Sequence, residues 1–445
     1  MLSYYMHLSF RSFKSAKGLT LLMLLSIAMG VAACMTTLTV FHVLSGDPIP
    51  GKSDKLFNVQ LDAESLPGYE PGGEPTLQLT HFDAETLLRE KRGVHQVMMV
   101  GGNIAVDPAA SPASSASLAS PSAGQRPFFA RSRYASADFF AMFEAPFLYG
   151  TGWSAADDAA EARVAVISQE LSAQLFGPGD SRGKTLRLRD KDFTIIGVLK
   201  DWRPAPHYFD LTLGAYTKTA EVFVPLRTSM SLKFGSSGNF NCWGESNGDS
   251  RGPNAPCAWL QYWVQLDTAE QTRDYRDYLV RYSEQQRSAG RFERPVNVRL
   301  SPVMSWLNIS KVVPSDIRLQ VWLAFGFLLV CLTNAVGLLL AKCLRRSTEI
   351  GVRRALGAPR RAIFMQFLVE AGSLGLAGGL LGLGLTWLGL WAVRQTPSAY
   401  AQLAQLDWPM LGATLLLALA ASLLAGLLPA WRACQVTPAI QLKTQ

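Results

Sequence analysis

Four stretches of the chain, residues 18–41, 319–341, 371–393 and 408–431, contain no Asp, Glu, Lys or Arg. An α-helix needs roughly 20 apolar residues to cross about 30 Å of hydrocarbon, and each stretch reaches that length. Inside a bilayer the backbone must satisfy its own hydrogen bonds, so runs of this kind are read as helices. The pattern predicts transmembrane helices over 18–44, 317–341, 366–393 and 408–431.

Between the first two runs the pattern changes. Residues 45–316 have an ordinary soluble composition, in which "LFNVQLD" (56–62), "RVAVIS" (163–168), "FTIIGVL" (193–199), "EVFVPL" (221–226) and "WLQYWVQLD" (259–267) read as strands. "QELSAQLFG" (169–177) and "AEQTRDYRDYLVRYSEQQR" (269–287) carry helical apolar spacing. An Ala, Ser and Pro-rich run over 107–126 cannot bury a core and is expected to be a mobile loop. The predicted fold is an integral membrane α-helical protein of four transmembrane helices, with a large α+β extracytoplasmic domain inserted between helices 1 and 2.

Charge assigns the sides, because cytoplasmic segments next to a membrane hold the excess of Lys and Arg. Arg11, Lys14 and Lys17 precede the first helix with no acid among residues 1–17. Residues 342–365 add Lys342, Arg345, Arg346, Arg353, Arg354, Arg360 and Arg361 against Glu349 alone, whereas 394–407 offers only Arg394 and Asp407. Both termini, including the 432–445 tail, are therefore expected in the cytoplasm, and the insert and the 394–407 loop outside. Leu2, Met6, Phe10 and Phe13 share one helical face, which makes 1–17 an amphipathic segment expected to lie on membrane lipid.

Chemistry-bearing residues are sparse. Cys242 and Cys257 alone among six cysteines fall in the exported insert, where thiols oxidise, and they are expected to form a disulfide. "GPGDSRGKT" (177–185) ends like a phosphate-binding loop but has Pro178 where the first glycine is needed, so it reads as a turn before a strand. The five histidines show no metal-ligand spacing, and no serine sits in a nucleophile elbow, so no catalytic residue and no metal site are expected. In the third helix Gly375 and Gly379 stand four apart, as do Gly378 and Gly382, a spacing that lets a second helix backbone approach closely.

The run "EIGVRRALGAPRRAIFMQFLVEAGSLGLAGGLLG" (349–382), together with "SGDPIPGKSDKLFNVQL", "LFGPGDSRGKTLRLRDKDFTIIGVL" and "LLPAWRACQVTPAIQL", resembles the MacB/FtsX-type permeases of ABC transporters over essentially the whole chain. The resemblance implies a permease subunit of the bacterial inner membrane with a MacB-like periplasmic domain and an FtsX-like transmembrane domain. It would couple ATP hydrolysis elsewhere to movements of the periplasmic domain for efflux or export of an antimicrobial, a peptide or a lipoprotein. The chain would bind no cofactor itself; ATP and Mg would be used by a separate cytoplasmic ABC ATPase, since no Walker loop occurs here. Further implied partners are a second permease chain, identical or not, and a periplasmic adaptor protein, with no nucleic acid. The ATPase-coupling residues would be Glu349, Ile350, Gly351, Arg353, Arg354, Leu356, Gly357, Arg360 and Arg361. The other reading is a membrane-anchored sensor or scaffold whose outer domain binds a ligand.

Overall fold

The structure, a computed structural model, describes residues 17–108, 126–246, 248–396 and 400–434. All but Lys17 of the amphipathic segment expected over residues 1–17, most of the loop expected over 107–126, and the tail beyond residue 434 lie outside the described residues. The chain divides into two compact units, Gly46–Val312 and the remainder, Met1–Ser45 with Val313–Gln445.

The second unit contains four helices long and apolar enough to cross a membrane: Lys17–Ser45, Ser315–Arg345, Arg360–Arg394 and Trp408–Cys434. They are called the first to fourth membrane helices below. Exposed Leu, Phe and Trp side chains cover much of their outer surface, as expected where lipid rather than water is the solvent. A short helix, Ser347–Ala355, joins the second to the third.

The first unit is built on one mixed sheet. Its strands are β1 (Leu56–Leu61), β2 (Leu79–Thr80), β3 (His95–Asp107), β4 (Phe128–Ala135), β5 (Phe147–Gly150), β6 (Val164–Ser168), β7 (Thr185–Leu188), β8 (Lys191–Leu199), β9 (Val222–Pro225), β10 (Asn241–Cys242), β11 (Cys257–Gln265) and β12 (Val298–Pro302). The main order is β12-β1-β11-β3-β4-β9-β6-β8-β5, with β2 and β10 on β11, and β7 between β3 and β8. Successive side chains of a strand point to opposite faces, and here both faces are covered. Met98 and Val100 enter one core, while Val97 and Met99 enter the other, which is rich in aromatic rings. In that second core the indole N–H groups of Trp263 and Trp306 donate to the carbonyls of Phe209 and Tyr208, both at 3.0 Å.

Every strand expected from the sequence is present, but the longest strand, β3, and its neighbour β4 were not anticipated. β3 runs to Asp107, where the Ala, Ser and Pro-rich stretch begins. The stretch that mimics a phosphate loop is a hairpin approach: Gly177, Gly179 and Gly183 take positive φ, and the Gly183 N–H donates to the Ile195 carbonyl at 2.8 Å. Cys242 and Cys257 are disulfide-bonded across the β10–β11 pair, and Phe240 stacks on Trp259 beside them.

Two stability predictions follow from this unit. The disulfide closes a loop with a sequence separation of 15, so Cys242→Ser with Cys257→Ser should lower unfolding free energy by about 3 kcal/mol. A chemical-denaturation midpoint unmoved by the double change would contradict that. Asp158 is buried and accepts from the Arg227 backbone N–H at 3.5 Å. Burial pushes its pKa up to about 6, with Arg227 opposing and Glu85 adding to the rise. The folded chain therefore holds this proton more tightly than the unfolded chain does, and stability falls as pH rises from about 4 to about 6. Asp158→Asn should raise stability above pH 6 by roughly 2–3 kcal/mol, and the gain should vanish below about pH 4. Thermal melts of both forms across that pH range check the sign.

Candidate functional site

The basic stretch between the second and third membrane helices folds as a helix with a defined stop. Gly357 takes φ +94, its N–H donates to the Arg354 carbonyl, and the Ala358 N–H donates to the Arg353 carbonyl, both at 3.1 Å. This double closure satisfies terminal carbonyls and needs a residue at ease with positive φ, which is why glycine stands there. Pro359 then precedes the third membrane helix, so Arg360 and Arg361 occupy that helix's first turn. Cations are disfavoured at the positive end of a helix dipole unless an anion comes from elsewhere. Among the described residues, neither arginine has an ion-pair partner.

One face of the short helix is clamped and the other is open. Ile350 packs with Cys343, Ile363, Phe367, Ala430 and Cys434, and Gly351 is buried beside it. On the far side Leu356 is 83% exposed and Val352 51% exposed. Arg354 donates to the Cys434 carbonyl at 3.0 Å and Arg353 to Gln366 Oε1 at 3.2 Å, which tie the helix to the fourth and third membrane helices.

A continuous set of ion pairs runs inward from this surface. Glu349 Oε1 lies 2.6 Å from Arg353 Nη2, and Glu349 Oε2 lies 3.0 Å from Arg346 Nε. Partial burial alone would raise the Glu349 pKa, but the hydrogen bond from Arg346 and the charges of Arg346 and Arg353 outweigh it and hold the carboxyl below its ordinary value. Arg346 Nη1 is also 3.7 Å from Glu370 Oε2, and Lys342 Nζ is 2.5 Å from Glu370 Oε1. Glu370 and Lys342 are both buried. Lys342 and Arg346, spaced i, i+4 on one helix, are the two cations that meet Glu370.

The glycines of the third membrane helix serve two different neighbours. A Cβ on Gly375 would meet Ser422 Cβ at 2.6 Å and the Ala418 carbonyl at 3.0 Å, and one on Gly379 would meet Ala418 Cβ at 2.8 Å; both face the fourth helix. A Cβ on Gly378 would lie 3.0 Å from Ile27 Cγ2, and one on Gly382 would lie 3.4 Å from the Ala28 carbonyl; both face the first helix. Both pairs are thus occupied by packing within the chain. No group of three or more His, Cys, Asp or Glu is placed to hold a metal among the described residues.

Comparison with known proteins covers both units. Residues 20–282 match the family described as MacB-like periplasmic core domain, and residues 321–438 match the FtsX-like permease C-terminal family. The ABC transporter permease YknZ of Bacillus subtilis is 28% identical over 278 residues, covering 62% of this chain and 60% of that protein. The pyoverdine export ATP-binding/permease protein PvdT of Pseudomonas entomophila is 25% identical over 378 residues, 83% of this chain and 49% of its own length. The macrolide export ATP-binding/permease protein MacB of Neisseria gonorrhoeae is 27% identical over 228 residues, 51% of this chain and 30% of that one. The matches therefore span from 30% to 60% of these three relatives. Among solved structures, the periplasmic region of MacB from Actinobacillus actinomycetemcomitans aligns at 12% identity and TM-score 0.35, covering 61% of this chain and 98% of that one.

The Lys342–Glu370 pair yields a prediction. Removing one member of a buried ion pair leaves a charge without compensation, so Glu370→Ala should destabilise the bundle by about 3–5 kcal/mol. The double change Lys342→Met with Glu370→Met should cost much less, because it leaves neither of those two charges buried. Melting of the detergent-solubilised chain measures both; equal losses in the single and double variants would show that the pairing is not what the bundle needs.

Proposed function

The chain belongs to the MacB/FtsX-type ABC transporter permeases, and on that footing we propose that it transmits the action of a cytoplasmic ABC ATPase, carried on a separate chain, to its extracytoplasmic domain. The observation that carries this reading is the short basic helix Ser347–Ala355. One face is fixed by Ile350 and by the Arg346–Glu349–Arg353 pairs, and the other presents Val352 and Leu356 to solvent. An exposed leucine on a rigid mount is a contact that the described residues leave uncovered. Arg360 and Arg361, at a helix end that repels them, ask for an anionic surface to complete the contact. The ATPase, using ATP and Mg, supplies the chemistry; the permease supplies the docking surface and the helices that carry its displacement.

Within this reading the basic surface and both chain termini are cytoplasmic, following the distribution of Lys and Arg. The Gly46–Val312 domain is then outside the inner membrane. A second permease chain completes the transporter, a periplasmic adaptor joins it, and the cargo class is an antimicrobial, a peptide or a lipoprotein.

The test is affinity capture of the full chain from its own host, comparing wild type with Leu356→Asp and with Glu349→Lys/Leu356→Asp. Leu356 is exposed, so its replacement leaves the fold intact. Wild type should retain an ABC ATPase, and each variant should lose at least about 90% of it, a tenfold weakening for every 1.4 kcal/mol of contact removed. Folded wild-type protein that retains no ATPase would favour a membrane-anchored sensor or scaffold instead.

A further inference from the structure

The short helix Ala155–Ala159 in the Gly46–Val312 domain carries two adjacent acids with different duties. Asp157 caps the helix: its carboxylate accepts from the Ser154 backbone N–H at 2.8 Å and from the Ser154 hydroxyl at 2.7 Å, while Ser154 Oγ accepts from the Asp157 N–H at 3.1 Å. Asp158 has no such duty. It is 6% exposed, and its carboxylate receives one long hydrogen bond, to Oδ1 from the Arg227 backbone N–H at 3.5 Å. The other oxygen has no hydrogen-bond partner among the described residues, yet it is not sealed in the interior. An amide would accept the same bond without a charge, so none of these contacts requires a carboxylate, and holding one there costs stability above pH 6. A charge kept at such a cost points to a counter-charge from outside the chain.

Asp158 lines a cleft of about 490 Å³, and among the charged groups of its wall it alone is buried. The Arg227 guanidinium is taken by Glu85 on the helix His81–Glu90, and Asp138 lies 3.4 Å from His95 Nδ1. Arg89 and Lys91 stand exposed, where water and salt screen them. A buried carboxylate is screened far less, so a cation that reaches Asp158 gains more there than it loses to the exposed arginine and lysine. Val94, Ala137, Ala155 and Ala159 give the same wall apolar surface. A second cleft of about 450 Å³ shares Glu85, Arg89 and Arg227 with the first, so the space continues past the Arg227–Glu85 pair. A lone buried carboxylate suits a cation that brings its own hydrogen-bond donors better than a metal ion, which needs several ligands; no such group of ligands forms among the described residues.

We propose that this cleft binds an organic cation, an ammonium or guanidinium group carried on an apolar stem, with the Asp158 carboxylate as its buried counterion. The N–H groups of the ligand satisfy the open carboxylate oxygen, and the stem lies against the valine and alanine side chains of the wall. The site stands apart from the ATPase contact: it rests on residues of the Gly46–Val312 domain alone.

The test uses the full chain in detergent, well above pH 6 so that Asp158 is ionised, and measures calorimetric binding and thermal stabilisation with butylammonium chloride and, separately, with methylguanidinium chloride. Each is compared with sodium chloride at equal ionic strength. At least one of the two cations should bind, and the stronger arm distinguishes an ammonium from a guanidinium ligand. Asp158→Asn should weaken that binding by about tenfold or more while raising the melting temperature without ligand, so a loss of binding is not a loss of fold. Asp138→Asn removes an equal charge from a more exposed position of the same wall and should weaken binding by less than about threefold. No response above sodium chloride in either arm would overturn the site, and so would equal effects of the two substitutions, which would show general attraction to the cleft rather than pairing with Asp158.

Discussion

A carboxylate inside a membrane helix is expensive unless it is paired, and Glu370 is paired twice over. That requirement organises the basic end of the bundle. Lys342 and Arg346 can reach Glu370 only if the end of the second membrane helix lies against the third, so the charge cost enforces their adjacency. Arg346 then turns its remaining nitrogens toward Glu349, which in turn meets Arg353. The orientation of the short basic helix is therefore inherited from a charge buried in the bundle. Its exposed face, with Val352 and Leu356, is what remains once the inward face has been spent on Glu349, Ile350 and Arg353.

The Gly46–Val312 domain solves a different problem, that of burying polar groups in water-soluble structure. Its sheet is covered on both faces, so polar side chains that enter it must find partners at long range. Most do: Gln96 gives one hydrogen to the Leu87 carbonyl while its oxygen takes the N–H groups of Arg92 and Gly93, and Asp83 receives Tyr282 and Arg291. The side-chain atoms left without a partner are scattered through the domain, among them Asn58 Oδ1, the Trp153 indole N–H, the His207 ring nitrogens and the Gln261 oxygen.

The four membrane helices were legible because their signal is composition over about 20 residues, which no tertiary contact can override. β1, β6, β8, β9 and β11 were legible because apolar and β-branched residues concentrate in them. β3 and β4 were not. Gly101 and Gly102 interrupt the first, and the second, "FFARSRYA", carries two arginines. Arg133 is tolerable in an interior strand only because Asp210, with a sequence separation of 77, meets it there. A local window cannot see such a partner. The same limit hid the pairing of Glu370 and the division of the glycines between two neighbours. Spacing showed that Gly375 and Gly379, like Gly378 and Gly382, share a face, but only the packed bundle shows whose helix lies on each.

That division has a mechanical side. Close contact on two adjoining faces leaves the third membrane helix little room to bend: at Gly375 and Gly379 a single added methyl group would collide with the fourth helix, and at Gly378 it would press on Ile27 of the first. The helix has 35 residues, about 50 Å at 1.5 Å per residue. It therefore behaves as a rod clamped along its middle, with Arg360 and Arg361 at one end and Arg394 at the other. Under the proposed coupling, a tilt of a few degrees about the glycine contacts would move the two ends of such a rod in opposite directions. The smallest residues in the helix are, in this sense, its fulcrum.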